Sequence, residues 1–236
     1  MKKIFKNIIL GFLAFILIIS SICIFYFSSY YEAVNNTYQS TDLYTIYINK
    51  EETWVKSNNN DTLIIMYPGC KVENEAYIPL AIELTKYGYS TVIIDPLLNF
   101  MLADTNAYKK YLKDYKSYYL MGHSLGGTVA SMVVDENIDA LILLASYSSK
   151  DISDLNINVL SITGELDGVL NLKKQEEAKI NLPKNTIYKI IEGGNHSDFG
   201  DYGFQDGDNK STLKENEQIE ITAKLINDYM KTATTN

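Results

Sequence analysis

The chain has no arginine, only two cysteines, two histidines and four prolines in 236 residues. Without arginine there is no guanidinium to clamp a carboxylate or phosphate through paired hydrogen bonds. Lysine can still bind such groups, so anionic substrates are disfavoured but not excluded. Acidic residues number 29 against 21 basic ones, and Lys2, Lys3 and Lys6 sit at the N-terminus. Setting those three aside leaves 18 basic residues against the same 29 acids, a surface that repels polyanions. Nucleic acid is therefore not expected as a partner. Cys23 lies in an apolar run and Cys70 in a distant loop, so no structural disulfide is expected. No P-loop, no G-x-G-x-x-G pattern and no zinc-ligand cluster occurs, and neither a metal nor a cofactor is expected.

What the N-terminus does have is a nearly unbroken apolar run from Ile8 to Phe27, preceded by the three lysines. At 1.5 Å per residue, about twenty residues cross a bilayer core of roughly 30 Å. A cleaved signal peptide would carry about 7–15 apolar residues and then a small-residue site. No such site follows, and the bulky Ile22 before Cys23 spoils a lipoprotein pattern. Residues 1–27 are thus expected to be a cytoplasmic n-region and a single-pass transmembrane signal anchor; secretion after cleavage is the alternative. Positive charge precedes the run and does not return until Lys50, which puts the rest of the chain outside the cell membrane. Tyr26, Tyr30 and Tyr31 suit the outer interface. Residues 28–41 read as a polar tether, and residues 42–236 are of a size for one domain.

In that domain apolar runs alternate with helical patterns. Strands are expected at about Tyr44–Ile48, Thr62–Tyr67, Ser90–Ile94, Ser117–Met121, Ile138–Leu144, Asn158–Thr163 and Thr186–Ile191. Helices are expected at about Glu75–Tyr87, Thr105–Tyr115, Leu125–Glu136, Leu172–Ile180 and Thr212–Met230. Buried strands in βαβ succession predict an α/β fold: a mainly parallel, doubly wound sheet with helices on both faces.

The most informative segment is Gly122-His123-Ser124-Leu125-Gly126, set between a strand and a helix. G-x-S-x-G at such a corner is the nucleophile elbow pattern. Ser124 would sit in a strained turn with its hydroxyl above the sheet edge. Gly122 and Gly126 are glycine because a Cβ would strike the neighbouring strand or helix. The Leu125 N–H, opening the helix, points at charge developing beside Ser124.

A serine hydroxyl needs a base. His123 adjoins the serine and projects elsewhere, so it reads as a residue that packs beside the elbow or supports the site from behind. His196, in the loop after an apolar run and Gly193-Gly194, is the expected base. A carboxylate must orient it. Asp167, in the loop after Asn158–Thr163, lies at the carboxyl end of a strand, where functional loops of open α/β sheets gather. Glu165 is the runner-up; Asp151 and Asp154 read as solvated charges, and Asp95 as a turn cap. Tyr67-Pro68-Gly69-Cys70 follows another buried strand, and the Cys70 N–H is the expected second oxyanion donor. Cys70 as a nucleophile lacks an elbow. The acid- and aromatic-rich stretch 198–208 could suggest calcium, but it fits no EF-hand pattern and reads as a loop packed beside His196.

With these residues in view, the chain resembles the α/β-hydrolase superfamily, and within it small bacterial hydrolases distantly similar to dienelactone hydrolases. The shared features are Tyr67-Pro68-Gly69, the elbow through Gly127, Gly164-Glu165-Leu166-Asp167-Gly168 and Gly193-Gly194-Asn195-His196, spanning about Thr62 to Met230. The resemblance implies an α/β-hydrolase fold with Ser124 as nucleophile, Asp167 as acid and His196 as base. Cys70 departs from it, standing where a second glycine is expected. Ser124 also differs from the cysteine that dienelactone hydrolases use, so their substrate does not carry over. Residues 145–157 leave no room for the large lid that bigger lipases insert there. The expectation is a membrane-anchored, extracytoplasmic serine hydrolase. Most simply it is a carboxylesterase acting through an acyl-enzyme on a small-molecule or polymer-end acyl ester. A thioesterase or acyltransferase would use the same residues, and a catalytically inactive hydrolase-fold surface binding protein is the rival from another class.

Overall fold

The apolar runs become the middle of one eight-stranded sheet. The strands are β1 (Tyr44–Ile48), β2 (Glu52–Ser57), β3 (Thr62–Tyr67), β4 (Tyr89–Ile94), β5 (Ser117–His123), β6 (Ala140–Leu144), β7 (Asn158–Gly164) and β8 (Ile187–Ile191). Their order is β1-β2-β4-β3-β5-β6-β7-β8. From β4 to β8 every pairing is parallel, while β1–β2 and β2–β4 are antiparallel. This computed structural model describes residues 2–35, 37–58, 61–95, 102 and 104–233, with the backbone alone for residues 2–3, 23–28 and 233.

β3 explains why the centre is apolar on both sides. Ile64 and Met66 enter one core, while Leu63, Ile65 and Tyr67 enter the other. The first core is closed by α2 (Ile78–Thr85) and α5 (Glu217–Ala233), through Ala81, Leu84, Ala223 and Ile226. The second is closed by α3 (Leu125–Val133), through Val129 and Ala130. A strand covered on both faces loses the polar alternation of a half-exposed one. The pairing Tyr67↔Gly122, His123↔Leu144 and Gly164↔Ile191 brings the carboxyl ends of β3, β5, β6, β7 and β8 to one edge. The short segment 145–157 at that edge contains no helix.

Several elements differ from the sequence expectation. β2 was not anticipated, because its buried residues are Thr53, Val55 and Ser57, a polar-looking set. It forms a hairpin with β1, closed by the Asn49 side chain accepting from the Glu51 and Glu52 amides at 2.7 and 3.1 Å. The helix expected over Thr105–Tyr115 is only a 3-10 turn, Ala107–Tyr111. Its buried tyrosines are tied down, Tyr108 bonded to Asp135 and Tyr111 to Glu52, and Asp114 turns the chain at φ 70°. α3 stops at Val133, short of Glu136, and α5 starts at Glu217, five residues after Thr212. α4 (Leu172–Glu177) passes into a 3-10 turn, Ala178–Asn181.

The N-terminal run forms α1, Lys2–Ser28, and its segment Ile4–Ile22 has a mean hydropathy of 2.2. It is long and apolar enough to cross a membrane, and none of that segment is buried against the domain. Of the aromatic residues expected at the interface, the Tyr26 side chain lies outside the described residues, as does that of Cys23. The stretch 28–41, expected as a polar tether, packs on the domain along part of its length. Tyr31 N donates to Lys71 O at 2.7 Å, and Glu73 N to Tyr31 O at 3.0 Å, a parallel bridge with Val72 at its centre. Ala33 N donates to Glu73 Oε2 at 2.8 Å, and Val34 N to Asp201 O at 2.9 Å.

Candidate active site

β5 ends at His123 and α3 begins at Leu125, leaving Ser124 to make the whole turn at φ 53° and ψ −123°. A residue with a Cβ is strained there, by about 1–3 kcal/mol, and persists only if its surroundings over-determine it. They do. Ser124 N donates to Leu144 O at 2.9 Å, and Ser146 Oγ donates to Ser124 O at 2.7 Å. The close approach also demands glycine on either side. A Cβ on Gly122 would lie 2.4 Å from Gly127 N, and one on Gly126 would lie 2.2 Å from Tyr67 O and Pro68 O.

Asp167 follows β7 and His196 follows β8, neighbouring strands whose loops meet. His196 Nδ1 lies 2.9 Å from Asp167 Oδ2, and both side chains are shut off from solvent. The other oxygen, Oδ1, accepts from Val169 N at 2.9 Å and Leu170 N at 2.8 Å. A carboxylate can only accept, so Nδ1 carries the hydrogen in the neutral ring and Nε2 is left with a lone pair. Nε2 is buried and has no hydrogen-bond partner among the described residues. Ser124, Leu125 and His196 line one cavity of about 210 Å³, with Thr128, Ser146 and Asn171 as its polar walls. Larger cavities of about 570 and 700 Å³ lie against α5 and contain none of these groups.

His123 is fully buried beneath this site. Its Nε2 lies 3.1 Å from the carbonyl oxygen of His196, so Nε2 must donate. Nδ1 then accepts from the Tyr77 hydroxyl at 2.8 Å, and the same hydroxyl accepts from Gly69 N at 2.9 Å. One chain of hydrogen bonds therefore runs from the loop after β3, through Tyr77 and the elbow histidine, to the His196 backbone. Burial, reinforced by the nearby His196 ring, holds His123 well below the ordinary imidazole range. Burial likewise pushes the Tyr77 hydroxyl up, so both stay neutral.

Cys70 is half-buried, and burial pushes its thiol up despite the adjacent Lys71, which makes it a poor nucleophile at neutral pH. Its side chain does not line the cavity with Ser124, whereas Leu125 does. Glu165 braces the loop before His196 by accepting from Gly193 N at 2.9 Å. Asp151 caps Ser153, Asp154 is exposed, and Asp95 is half-buried with its carboxyl pushed up by burial and then by Glu73. Pro96, the partner expected for Asp95, lies outside the described residues.

The 198–208 stretch packs beside His196, and its Asp208 serves the protein's own amides. Asp208 accepts from Gly168 N at 3.0 Å, His196 N at 3.3 Å, Ser197 N at 2.8 Å and Asn209 N at 2.8 Å, and from Ser197 Oγ at 2.6 Å. It thus ties the Asp167 loop to the His196 loop. The Gln218 amide pairs with both backbone groups of Asn195, at 2.8 and 2.9 Å. Sequence reading missed Tyr77, Asp208 and Gln218 as contributors. The only hint was their company: Gly-Asp-Asn after the histidine loop and a tyrosine in an otherwise apolar helix start.

The strained serine corner, the buried His–Asp pair and the cavity lined by Ser124 and His196 all lie at one edge of an α/β scaffold. The chain belongs to the alpha/beta hydrolase family, whose sequence model matches residues 63–220. No curated protein sequence matches it. Among solved structures it is similar to a dienelactone hydrolase from Anabaena variabilis, at 14% identity and TM-score 0.59, over 80% of this chain and 98% of that one. It is also similar to Est1E from Butyrivibrio proteoclasticus, at 17% identity and TM-score 0.56, over 84% and 100%. A CIB-like hydrolase from Thermoplasma acidophilum matches at 14% identity and TM-score 0.58, over 78% and 99%. At these identities the structures show a shared fold, while family membership supports a hydrolytic function.

Proposed function

We propose that the protein is a membrane-anchored serine hydrolase, a carboxylesterase working outside the cell membrane through Ser124, His196 and Asp167. The observation that carries this reading is the His196 ring. Its Nδ1 is engaged by Asp167, its buried Nε2 has no partner among the described residues, and the residue lines the same cavity as Ser124.

In the mechanism, Nε2 takes the Ser124 proton as Oγ attacks the acyl carbonyl, giving a tetrahedral intermediate. Asp167 stabilises the imidazolium that forms. The Leu125 amide, at the start of α3, and the Cys70 amide receive the oxyanion. The ester C–O bond then breaks, and His196 returns its proton to the leaving alkoxide. Water, deprotonated by the same nitrogen, releases the acyl group and restores Ser124. The short 145–157 segment places no helix over the cavity, which favours accessible esters over long-chain triglycerides. The apolar run of α1, with the lysines in the first turns of the helix, supports an anchor with the domain outside.

The test is hydrolysis of phenyl acetate by the full chain in detergent, beside Ser124→Ala, His196→Ala and Asp167→Asn. Each change is expected to lower kcat by at least about 10³-fold with little effect on melting temperature. Unchanged turnover in Ser124→Ala would sink the reading. Membrane extraction with alkaline carbonate tests the anchor: the full chain is expected to stay with the pellet.

A further inference from the structure

The place where the N-terminal segment docks bears on where the substrate comes from. α1 ends at Ser28, and Tyr31 already pairs with the loop after β3 through Lys71 and Glu73. Three residue steps cover at most about 10 Å, whereas a free tether to residue 41 would allow about 45 Å. That loop is a wall of the elbow, since a Cβ on Gly126 would lie 2.2 Å from Pro68 O. The second docking point, Asp201, belongs to the loop that follows His196. The chain therefore leaves α1 directly onto the edge that carries Ser124, rather than onto the far edge or a helical face.

The exposed residues at that point are apolar. Val34 is 63% exposed, Phe204 52% and Tyr30 39%. Val34 Cγ2 would lie 3.9 Å from a Cβ on Gly203, the residue before Phe204. Their acidic neighbours Glu73, Asp201 and Asp206 would repel anionic headgroups, so proximity comes from the anchor and the apolar contact. The cavity itself, about 210 Å³ with polar walls, suits a short acyl group and leaves the alcohol outside.

We propose that the docked segment holds the Ser124 edge at the bilayer surface, and that the substrate is a short-chain acyl ester of an alcohol embedded in that bilayer. This rests on the hydrolase and anchor readings above. No lid is required, because the anchor already delivers the enzyme to its substrate. The bond broken is the ester C–O bond; the alcohol stays in the membrane and the carboxylate leaves into water.

Two readouts on the full chain in phosphatidylcholine vesicles test it. The first compares acetate release from hexadecyl acetate in the bilayer with release from phenyl acetate in solution. A Gly/Ser spacer of roughly 30 residues between Ser28 and Ser29 lets the domain drift from the surface. With it, release from hexadecyl acetate is expected to fall about tenfold while phenyl acetate cleavage stays unchanged. The second readout needs no activity. In the chain carrying Trp54→Phe and Phe204→Trp, brominated phosphatidylcholine is expected to quench the indole, and the spacer to abolish the quenching. Equal rates with and without the spacer, or phenyl acetate cleavage without hexadecyl acetate cleavage, would overturn the proposal. So would the absence of quenching. Quenching without cleavage of either ester would show instead that the hydrolase reading has failed, and the substrate assignment with it.

Discussion

His123 Nε2 donates to the backbone carbonyl of His196 at 3.1 Å, so the chain's two histidines are coupled through a main-chain group. The elbow residue thereby braces the backbone that carries the His196 ring. Tyr77 completes the link by donating to His123 Nδ1 while accepting from Gly69 N. Tyr77→Phe would leave a buried imidazole nitrogen and a buried amide unpaired, each worth about 1–3 kcal/mol. A lower melting temperature and a fall of about tenfold in kcat, with KM little changed, are expected from thermal melts and steady-state kinetics. A stability loss with kcat intact would make Tyr77 purely structural.

Because burial keeps His123 neutral when folded, unfolding at low pH lets it take up a proton. Its folded value is depressed, so its contribution is whole above about pH 6.5 and is lost as pH falls from there toward the folded value. His123→Gln cannot take up that proton. Urea unfolding at pH 7 and pH 5 should show the variant losing less stability over the interval than the parent chain. Equal losses would contradict a neutral, buried His123.

Asp208 gives an acid limb at lower pH. Burial pushes its carboxyl up, but the Ser197 hydroxyl and the Gly168, Ser197 and Asn209 amides outweigh that and hold it below the ordinary carboxylate value. Its contribution is therefore complete above about pH 4 and fades as pH falls through the depressed folded value. Asp208→Asn should weaken the joint between the Asp167 and His196 loops at all higher pH. Faster amide exchange at Gly168 and Ser197 and a lower kcat are expected; exchange rates equal to those of the parent would contradict this role.

Ser124 trades stability for geometry. At φ 53° a glycine is free of the penalty that a Cβ incurs, so Ser124→Gly should abolish hydrolysis while raising stability by about 1 kcal/mol. Denaturant titration checks it. A destabilised variant would show that the turn is not strained in the way described.

Much of this was legible in the sequence because it is local. The elbow is five consecutive residues, and its glycines answer to contacts that any such corner creates. β3, Thr62–Tyr67, is apolar throughout because both its faces are covered, and its limits could be read directly. β2 could not be read, since Thr53 is buried by pairing with Ile93 of β4 and Ser57 by a bond from its amide to Ser90 Oγ at 3.0 Å, not by their own apolarity. The 107–111 turn was mistaken for a longer helix because its tyrosines anchor to Asp135 and Glu52, contacts that no periodicity encodes. Asp208 lies twelve residues from His196 and forty from Gly168, so its task emerges only once the two loops meet.

The hydrolase proposal stands on Ser124 being a nucleophile activated by His196. Its most direct measurement is fluorophosphonate labelling of the full chain, with the modified residue located by peptide mass spectrometry. One adduct is expected, on Ser124, lost in Ser124→Ala and strongly slowed in His196→Ala. A folded chain that takes up no label, or takes it up at another residue, would rule that activation out.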